Sequence, residues 1–447
     1  MANQLLNISM ITNEALFVLE NELTFTNCVT REYDDRFAIA GAKIGYTVNV
    51  RRPARFVGTV GPNLNVEDFY ESSIPVTLST QFHIDTQFTE ADLLLSLDEF
   101  SMRVIKPSVR AVANRIDADG TLIGMQWASN AVGVPGTPLS SRAPALQAGA
   151  FMDSEGCPPE ERCLILDQWT HSYMVDALAG LFNPQAQISE QYRKGMMGRD
   201  TLGFDWYKDQ NMVSYTPGAG GGTPTVNGAN QGLTAGWAQT SNILTTAWSN
   251  TTNVLNVGDI VTFAGCYAVN PQNRRSYGGN RLRQFVVRPF VGTPSAGTFT
   301  SSFATANNGS GPVGPSAGTI AGGYYTSGAS TGPLQFTVAP AIITAGQFQN
   351  VSASPTAGGA VTIFGAGFTG SSPQNLAIHK SSFTIASADL PLPGGVHFAG
   401  RAADPQTGLS IRVVRQYTVN NDSIPCRFDV LYGWAPIYSE LAVRAAG

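Results

Sequence analysis

Between residues 74 and 88 apolar and polar side chains alternate. Ile74, Val76, Leu78, Phe82, Ile84 and Phe88 are interleaved with Pro75, Thr77, Ser79, Gln81, His83, Asp85 and Gln87. Period two places the apolar set on one face of an extended strand. At about 3.3 Å per residue such a strand reaches roughly 50 Å, longer than strands in compact domains usually are. Part of it is therefore expected to project, and a projecting strand needs a partner for its backbone groups. Residues 43–50 supply the pattern for one, with Ile44, Tyr46, Val48 and Val50 alternating with Gly45, Thr47 and Asn49. The intervening stretch, RRPARFVGTVGPNLNVEDFYES, becomes the tip of the ribbon and carries both charge signs. An ordinary internal hairpin is the plainer alternative.

Helical and extended segments follow in a mixed order. Residues 10–22 space Ile11, Ala15, Val18 and Leu19 as one helical face. Residues 89–119 read as a long helix, with capping-box spacing at Thr89/Asp92 and Ser96/Glu99, apolar Phe100, Val104, Val112 and Ile116, and a kink or interruption expected at Pro107. Residues 162–166 read as a buried strand. Residues 168–182 read as a helix with Trp169, Tyr173, Leu178 and Leu181, stopped by Asn183-Pro184, and residues 203–207 return as a strand. Near the end, Leu409, Ile411 and Val413 alternate, Asn420-Asn421-Asp422 supply a turn, and Ile424, Cys426, Phe428, Val430 and Tyr432 alternate again.

Composition marks an insertion. Charged residues make up 13 % of the 447-residue chain, about half the usual ~25 %. Residues 217–360 hold only Asp259 among acids and only Arg274, Arg275, Arg281, Arg283 and Arg288 among bases. Strand-like runs at 260–263, 284–287 and 334–338 lie between Gly/Ser/Thr loops, which predicts an inserted β-barrel or sandwich rather than a linker. The net charge of −5 argues against tight wrapping of nucleic acid. Cys28, Cys157, Cys163, Cys266 and Cys426 are odd in number and dispersed, as structural thiols in a reducing compartment are. No lysine or arginine precedes Arg31, so the start lacks a signal-peptide pattern, and no apolar run is long enough to span a membrane.

Three patterns suggest chemistry and fail on context. Gly365-Ala-Gly367-Phe-Thr-Gly370 matches a dinucleotide-binding loop, but Ser371-Ser-Pro373 follows where a helix is needed. Gly314-Pro-Ser316-Ala-Gly318 matches a nucleophile elbow, with Asp389 and His397 in hydrolase order, but lies in a Gly-rich run without the required strand and helix. His83, His171, His379 and His397 are dispersed, and Cys157/Cys163 lack zinc-knuckle spacing. The acid pairs Asp34/Asp35, Glu67/Asp68, Asp98/Glu99 and Glu160/Glu161 read as solvated faces or intersubunit charge pairs. No catalytic, cofactor-binding or metal residue is assigned, and no enzyme activity is expected.

The order of helical arm, ribbon, kinked helix, α/β section, inserted β-domain and strand return resembles an α+β Johnson-fold major capsid protein of tailed phages, in particular the short-tailed Salmonella-phage coat type. The stretches that carry the resemblance are SIPVTLSTQFHIDTQFTEADLLLSLDEFSMRVIKPSVRAVANRID, GLFNPQAQISEQYRKGMMGRDTLGFDWYKDQN, NLAIHKSSFTIASADLPLPGG and FDVLYGWAPIYSELAVR. The resemblance implies an N-terminal arm at 1–36 and an extended β-hairpin loop at 37–90. It also implies a peripheral domain with its spine helix at 91–140, axial-domain parts at 141–216 and 361–405, an outer inserted domain at 217–360, and a C-terminal hairpin of the peripheral domain at 406–447.

Function and partners follow from the same resemblance. It implies self-assembly as hexamers and pentamers into an icosahedral shell around double-stranded DNA contacted weakly, with assembly in the bacterial cytoplasm. A separate scaffolding protein is the implied partner, since the chain starts almost directly at the arm without a long helical leader, together with a portal protein and a decoration protein. No membrane and no cofactor are implied. Arg51, Arg52, Arg55, Glu67 and Asp68 at the ribbon tip are the candidate intersubunit contacts, because repeated charge pairs fix register. A nanocompartment (encapsulin-like) shell subunit and a β-rich hydrolase are the competing readings.

Overall fold

The computed structural model describes residues 15, 19, 23–34, 47–68, 70–88, 105–178, 201–234, 236–248, 254–276, 279–289, 324–325, 334–404, 409–418 and 424–447. The chain forms two compact units, one from Met1–Arg51, Ser73–Gly120 and Phe383–Ile437, the other from Arg52–Ser72, Thr121–Ser382 and Tyr438–Gly447. The expected helix at 10–22, apart from Ala15 and Leu19, and the stretch 89–104 lie outside the described residues, as does Ser316.

The first unit is organised by one long strand, Ile424–Pro436. Thr80–Phe88 runs antiparallel along one side of it, from Ile424↔Phe88 to Tyr432↔Thr80. On the other side it pairs with Leu409–Arg415 through residues 426–429 and with Phe383–Ala388 through residues 431–436. Thr30–Asp34 adds in parallel to Phe383–Ala388, and Phe398–Asp404 completes the far edge beside Leu409–Arg415.

The single strand expected over 74–88 is two strands, Ser73–Thr77 and Thr80–Phe88. Each half has its own partner. Ser73–Thr77 pairs with Thr47–Arg51, from Thr47↔Thr77 to Arg51↔Ser73, whereas Thr80–Phe88 joins the long strand. Gly433 marks the changeover, because a Cβ there would lie 2.1 Å from the Thr77 carbonyl oxygen. Side-chain alternation survives the break: Ile74, Val76 and Leu78 are all buried. The pattern therefore reads as one strand although the hydrogen bonding does not.

Helix α1, Lys106–Trp127, buries Val109, Val112, Ala113 and Ile116 at helical spacing. Pro107 lies in the first turn of the described helix, and the stretch before residue 105 on which its expected effect depends lies outside the described residues. One expectation is corrected: the helix runs through Asp119-Gly120 instead of stopping there. Gly120 serves packing rather than termination: a Cβ would meet Phe25 Cδ1 at 2.6 Å and Trp434 Cζ2 at 2.7 Å. On the same helix, the Asp117 carboxylate accepts the Thr24 N–H at 2.6 Å, the Thr26 N–H at 3.1 Å and the Thr26 hydroxyl at 2.7 Å. It thereby holds the turn that leads into Thr30–Asp34.

The second unit contains a mixed sheet ordered Asn130–Gly133, Ala442–Ala446, Ser372–His379, Arg162–Leu166, Asp205–Lys208, with parallel pairs at both ends. Arg162–Leu166 is buried at every position, as expected of its unbroken apolar run. Helix α2, Ala143–Ser154, contributes Ala145, Ala148 and Met152 to the same core as Leu164, Trp206 and Val443. Helix α3, Gln168–Leu178, buries Thr170, His171 and Met174, while Trp169 and Tyr173 are exposed. The choice of face follows the core, which takes Met174 beside Trp206.

The inserted segment forms a six-stranded antiparallel sheet ordered Val361–Ile363, Ile260–Tyr267, Leu282–Arg288, Leu334–Ala339, Ser241–Trp248, Gly222–Val226. Its two outer strands meet through the Thr225↔Ala360 bridge, with the Val226 N–H on the Gly359 carbonyl and the Gly358 N–H on the Val226 carbonyl, both 2.9 Å. This contact brings the two edges of the sheet together at one point, as the curl of a barrel does. Phe263, Phe285, Phe336 and Trp248 fill the interior. Asp259, the lone acid of the segment, is buried and accepts from the Tyr215 hydroxyl at 2.7 Å, the Asn256 N–H at 2.7 Å and the Gly218 N–H at 3.1 Å. It secures the entry to the barrel, which accounts for a carboxylate in an otherwise acid-free stretch.

One strand, Leu282–Arg288, fastens the barrel to the rest of its unit. The Gln284 side chain pairs with the Ala131 backbone as a neighbouring strand would, accepting its N–H at 2.7 Å and donating to its carbonyl at 3.2 Å. Arg288 donates to the Gln126 carbonyl at 3.1 Å and lies 4.1 Å from the centre of the Trp127 ring. Arg283 pairs with Glu155.

Candidate assembly surface

The ribbon tip, residues 52–72, is held mainly by side chains rather than by a strand ladder. At its base the Arg52 N–H donates to the Ser72 carbonyl at 2.8 Å. The Arg52 guanidinium then turns inward. It lies 4.1 Å from the centre of the Tyr438 ring and 5.5 Å from that of Trp237, and pairs with Glu440 at 3.3 Å. Arg55 reaches the same carboxylate at 3.6 Å. Burial works against a charged Glu440, but Arg52 and Arg55 outweigh it and hold its pKa below the ordinary value.

Farther out, the Glu67 carboxylate crosses between the two legs of the loop and accepts the Val57 N–H at 2.7 Å and the Gly58 N–H at 2.5 Å. The Asp68 carbonyl accepts from the Gln347 side-chain amide at 2.7 Å. Of the five residues singled out by charge, Arg52 is 8 % exposed and Arg55 and Glu67 are engaged within their own chain. Arg51 and Asp68 have exposed side chains at the two ends of the tip.

Between these ends the tip exposes a cluster of large apolar side chains. Val60 is 103 %, Leu64 91 % and Val66 79 % exposed, and Phe56, Val57 and Tyr70 are also exposed. Half of the exposed large apolar side chains among the described residues fall in this one short segment. Clustering of this kind marks an interaction surface, whereas singly scattered apolar residues do not. The sequence contains the signal: FVGTVGPNLNV holds Phe56, Val57, Val60, Leu64 and Val66, yet shows neither helical nor strand periodicity that would bury them.

The chemical motifs resolve into structure. Gly365 and Gly367 have φ of 75° and 86° in a turn, and the strand Ser372–His379 follows instead of a helix. Asp389 is buried, accepts the Ser410 hydroxyl at 2.6 Å and pairs with Arg401 at 3.1 Å, while His397 is exposed. Among the described residues no group of His, Cys, Asp or Glu is arranged to hold a metal ion. All five cysteines are buried, and burial pushes the thiols of Cys157 and Cys426 up to about 11 and that of Cys266 to about 12.

No curated protein sequence matches the chain. Among solved structures it is similar to the bacteriophage PhiM1 mature capsid (TM-score 0.42, 8 % identity, covering 95 % of this chain and 86 % of that one). It is also similar to Mycobacterium phage Che8 (TM-score 0.40, 10 % identity, 95 % and 90 %) and to the capsid of cyanophage P-SCSP1u (TM-score 0.39, 10 % identity, 95 % and 88 %). In sequence, residues 25–297 and 333–443 match the model of the family described as P22 coat protein, gene protein 5. Since that match takes in most of the chain and both of its units, the chain belongs to the P22 coat protein family, and is a tailed-phage major capsid protein of the Johnson fold, structural rather than enzymatic.

Proposed function

We propose that the chain assembles the icosahedral head of its phage through the ribbon tip, with the apolar row Val57, Val60, Leu64 and Val66 carrying the contact to the neighbouring subunit. The observation behind this reading is the concentration of exposed apolar side chains between residues 56 and 70. Arg51 and Asp68 sit at the margin of that row, where charges steer and register a contact more than they strengthen it. Repetition by symmetry then makes a modest contact sufficient for a closed shell.

Within this proposal residues 37–90 form the extended loop and 1–36 the arm. Residues 91–140 and 406–447 belong to the peripheral domain, 141–216 and 361–405 to the axial domain, and 217–360 to an outer inserted domain. A separate scaffolding protein, a portal protein and a decoration protein are the further partners, and assembly takes place in the bacterial cytoplasm. The enclosed double-stranded DNA is contacted weakly, in keeping with a net charge of −5.

Electron microscopy and sedimentation of the chain, alone and with a scaffolding protein, test the reading. Closed shells are expected from the wild type, and unassembled subunits with unchanged thermal unfolding from V60D/L64D. A monodisperse wild-type monomer under both conditions, or shells from V60D/L64D at the wild-type concentration, overturns it.

A further inference from the structure

Both legs of the ribbon tip are gripped by the inserted segment of the same chain. On the outgoing leg the Arg274 guanidinium donates to the Phe56 carbonyl at 3.1 Å and to the Val57 carbonyl at 3.3 Å. On the returning leg Gln347 donates to the Asp68 carbonyl at 2.7 Å, and the Tyr70 ring meets Phe348 edge-on, with centroids 5.9 Å apart and planes at 80°. Phe348 is itself packed with Ala341, Ile343 and Trp237, so this anchor is a fixed one.

Arg274 is aimed by its backbone. It lies in a turn organised by Asn270, whose side-chain oxygen accepts the Gln272 and Asn273 N–H groups at 2.9 and 3.2 Å and whose carbonyl accepts the Arg274 N–H at 2.8 Å. The Asn270 amide group in turn donates to the Ser154 carbonyl at 2.8 Å, which ties the turn to the end of α2. Arg274 has φ of 55°, a left-handed conformation in which glycine would sit more comfortably. A strained arginine at a position suited to glycine indicates that its side chain is what the position requires.

We propose that the inserted domain presents the ribbon tip of its own chain: Arg274, Gln347 and Phe348 hold residues 56–70 in one conformation, so that the apolar row is preformed before a neighbouring subunit arrives. This rests on the assembly reading above. Holding the loop in advance removes the ordering cost from each of the many contacts a shell repeats. Each hydrogen bond is exposed and weak by itself, so the device depends on gripping both legs.

The test uses the full-length chain and the variant R274G/Q347A. Glycine accepts φ of 55° without strain, so the barrel is expected to stay folded with an unchanged melting temperature. Tryptic cleavage at the Arg55–Phe56 bond, next to a gripped carbonyl, is expected to run about tenfold faster in the unassembled variant, and its assembly threshold to rise by a similar factor. Equal cleavage rates overturn the proposal, as does a variant that is cut faster yet assembles at the wild-type threshold. Absence of shells from the wild type itself overturns the assembly reading and the presentation role with it.

Discussion

Glu155 Oε1 lies 2.7 Å from Arg283 Nη1, with the two side chains 1 % and 2 % exposed. Glu155 closes the end of α2 and Arg283 is on the barrel strand Leu282–Arg288, so the pair joins the two parts of the second unit. Removing one charge strands the other out of water, and E155Q is expected to lose about 3–5 kcal/mol. Replacing both by apolar residues of similar size, E155L/R283M, is expected to recover most of that loss. Urea unfolding of the two variants checks this, and an E155Q protein within about 1 kcal/mol of wild type counts against it.

Gly120 sets helix propensity against packing. Alanine in a helix interior is favoured over glycine by about 1 kcal/mol. At this position its Cβ would press on the Phe25 and Trp434 rings at 2.6 and 2.7 Å, and overpacking of that kind costs about 1–3 kcal/mol. The two rings are in mutual contact, 5.5 Å between centroids, and have little freedom to withdraw. G120A is therefore expected to lower the melting temperature, and F25L/G120A to regain part of it; an unchanged or raised value for G120A shows that the rings move aside.

The base of the ribbon tip should be acid-sensitive. Glu440 has its pKa held below the ordinary value in the folded chain by Arg52 and Arg55, against the opposing effect of burial. A depressed carboxylate contributes stability that is present above its unfolded pKa and lost as pH falls through its folded one. Protection of the Arg55–Phe56 bond against an acid-tolerant protease should accordingly fall off below about pH 4. In E440Q that acid-dependent step should be missing, with protection already reduced at neutral pH. A wild-type profile flat down to pH 3 would sink this assignment.

The thiols report on folding. Burial raises Cys157 and Cys426 to about 11 and Cys266 to about 12, so at pH 8 only about one thiol in a thousand or fewer at these positions is ionised. A thiol reagent at pH 8 is expected to modify these three cysteines only as fast as the units open, and all five at once in denaturant. Rapid labelling of any of the three in the native chain excludes the buried placement described for it.

Local rules carried the sequence reading a long way. Strand content at 162–166, 260–263, 284–287 and 334–338 was visible because an unbroken apolar run or an alternation is a property of neighbouring residues. The structure places strands at Arg162–Leu166, Ile260–Tyr267, Leu282–Arg288 and Leu334–Ala339. The pairing of 47–50 with the ribbon's returning strand was visible for the same reason. At the tip, charge singles out Arg52, but its partners Trp237, Tyr438 and Glu440 lie far along the chain, and no local pattern joins them.

By itself the sequence determined the alternating ribbon, the acid-free insertion and the mixed α/β order, since side-chain period and composition act over a few residues at a time. Tertiary structure alone decided where the ribbon changes partner at Gly433, why α1 continues through Gly120, and which face of α3 is buried. It also decided that Arg52 turns inward while Val60, Leu64 and Val66 stay exposed. Each of these outcomes depends on which distant groups compete for the same space or the same hydrogen bond, and that competition exists only once the chain has folded back on itself.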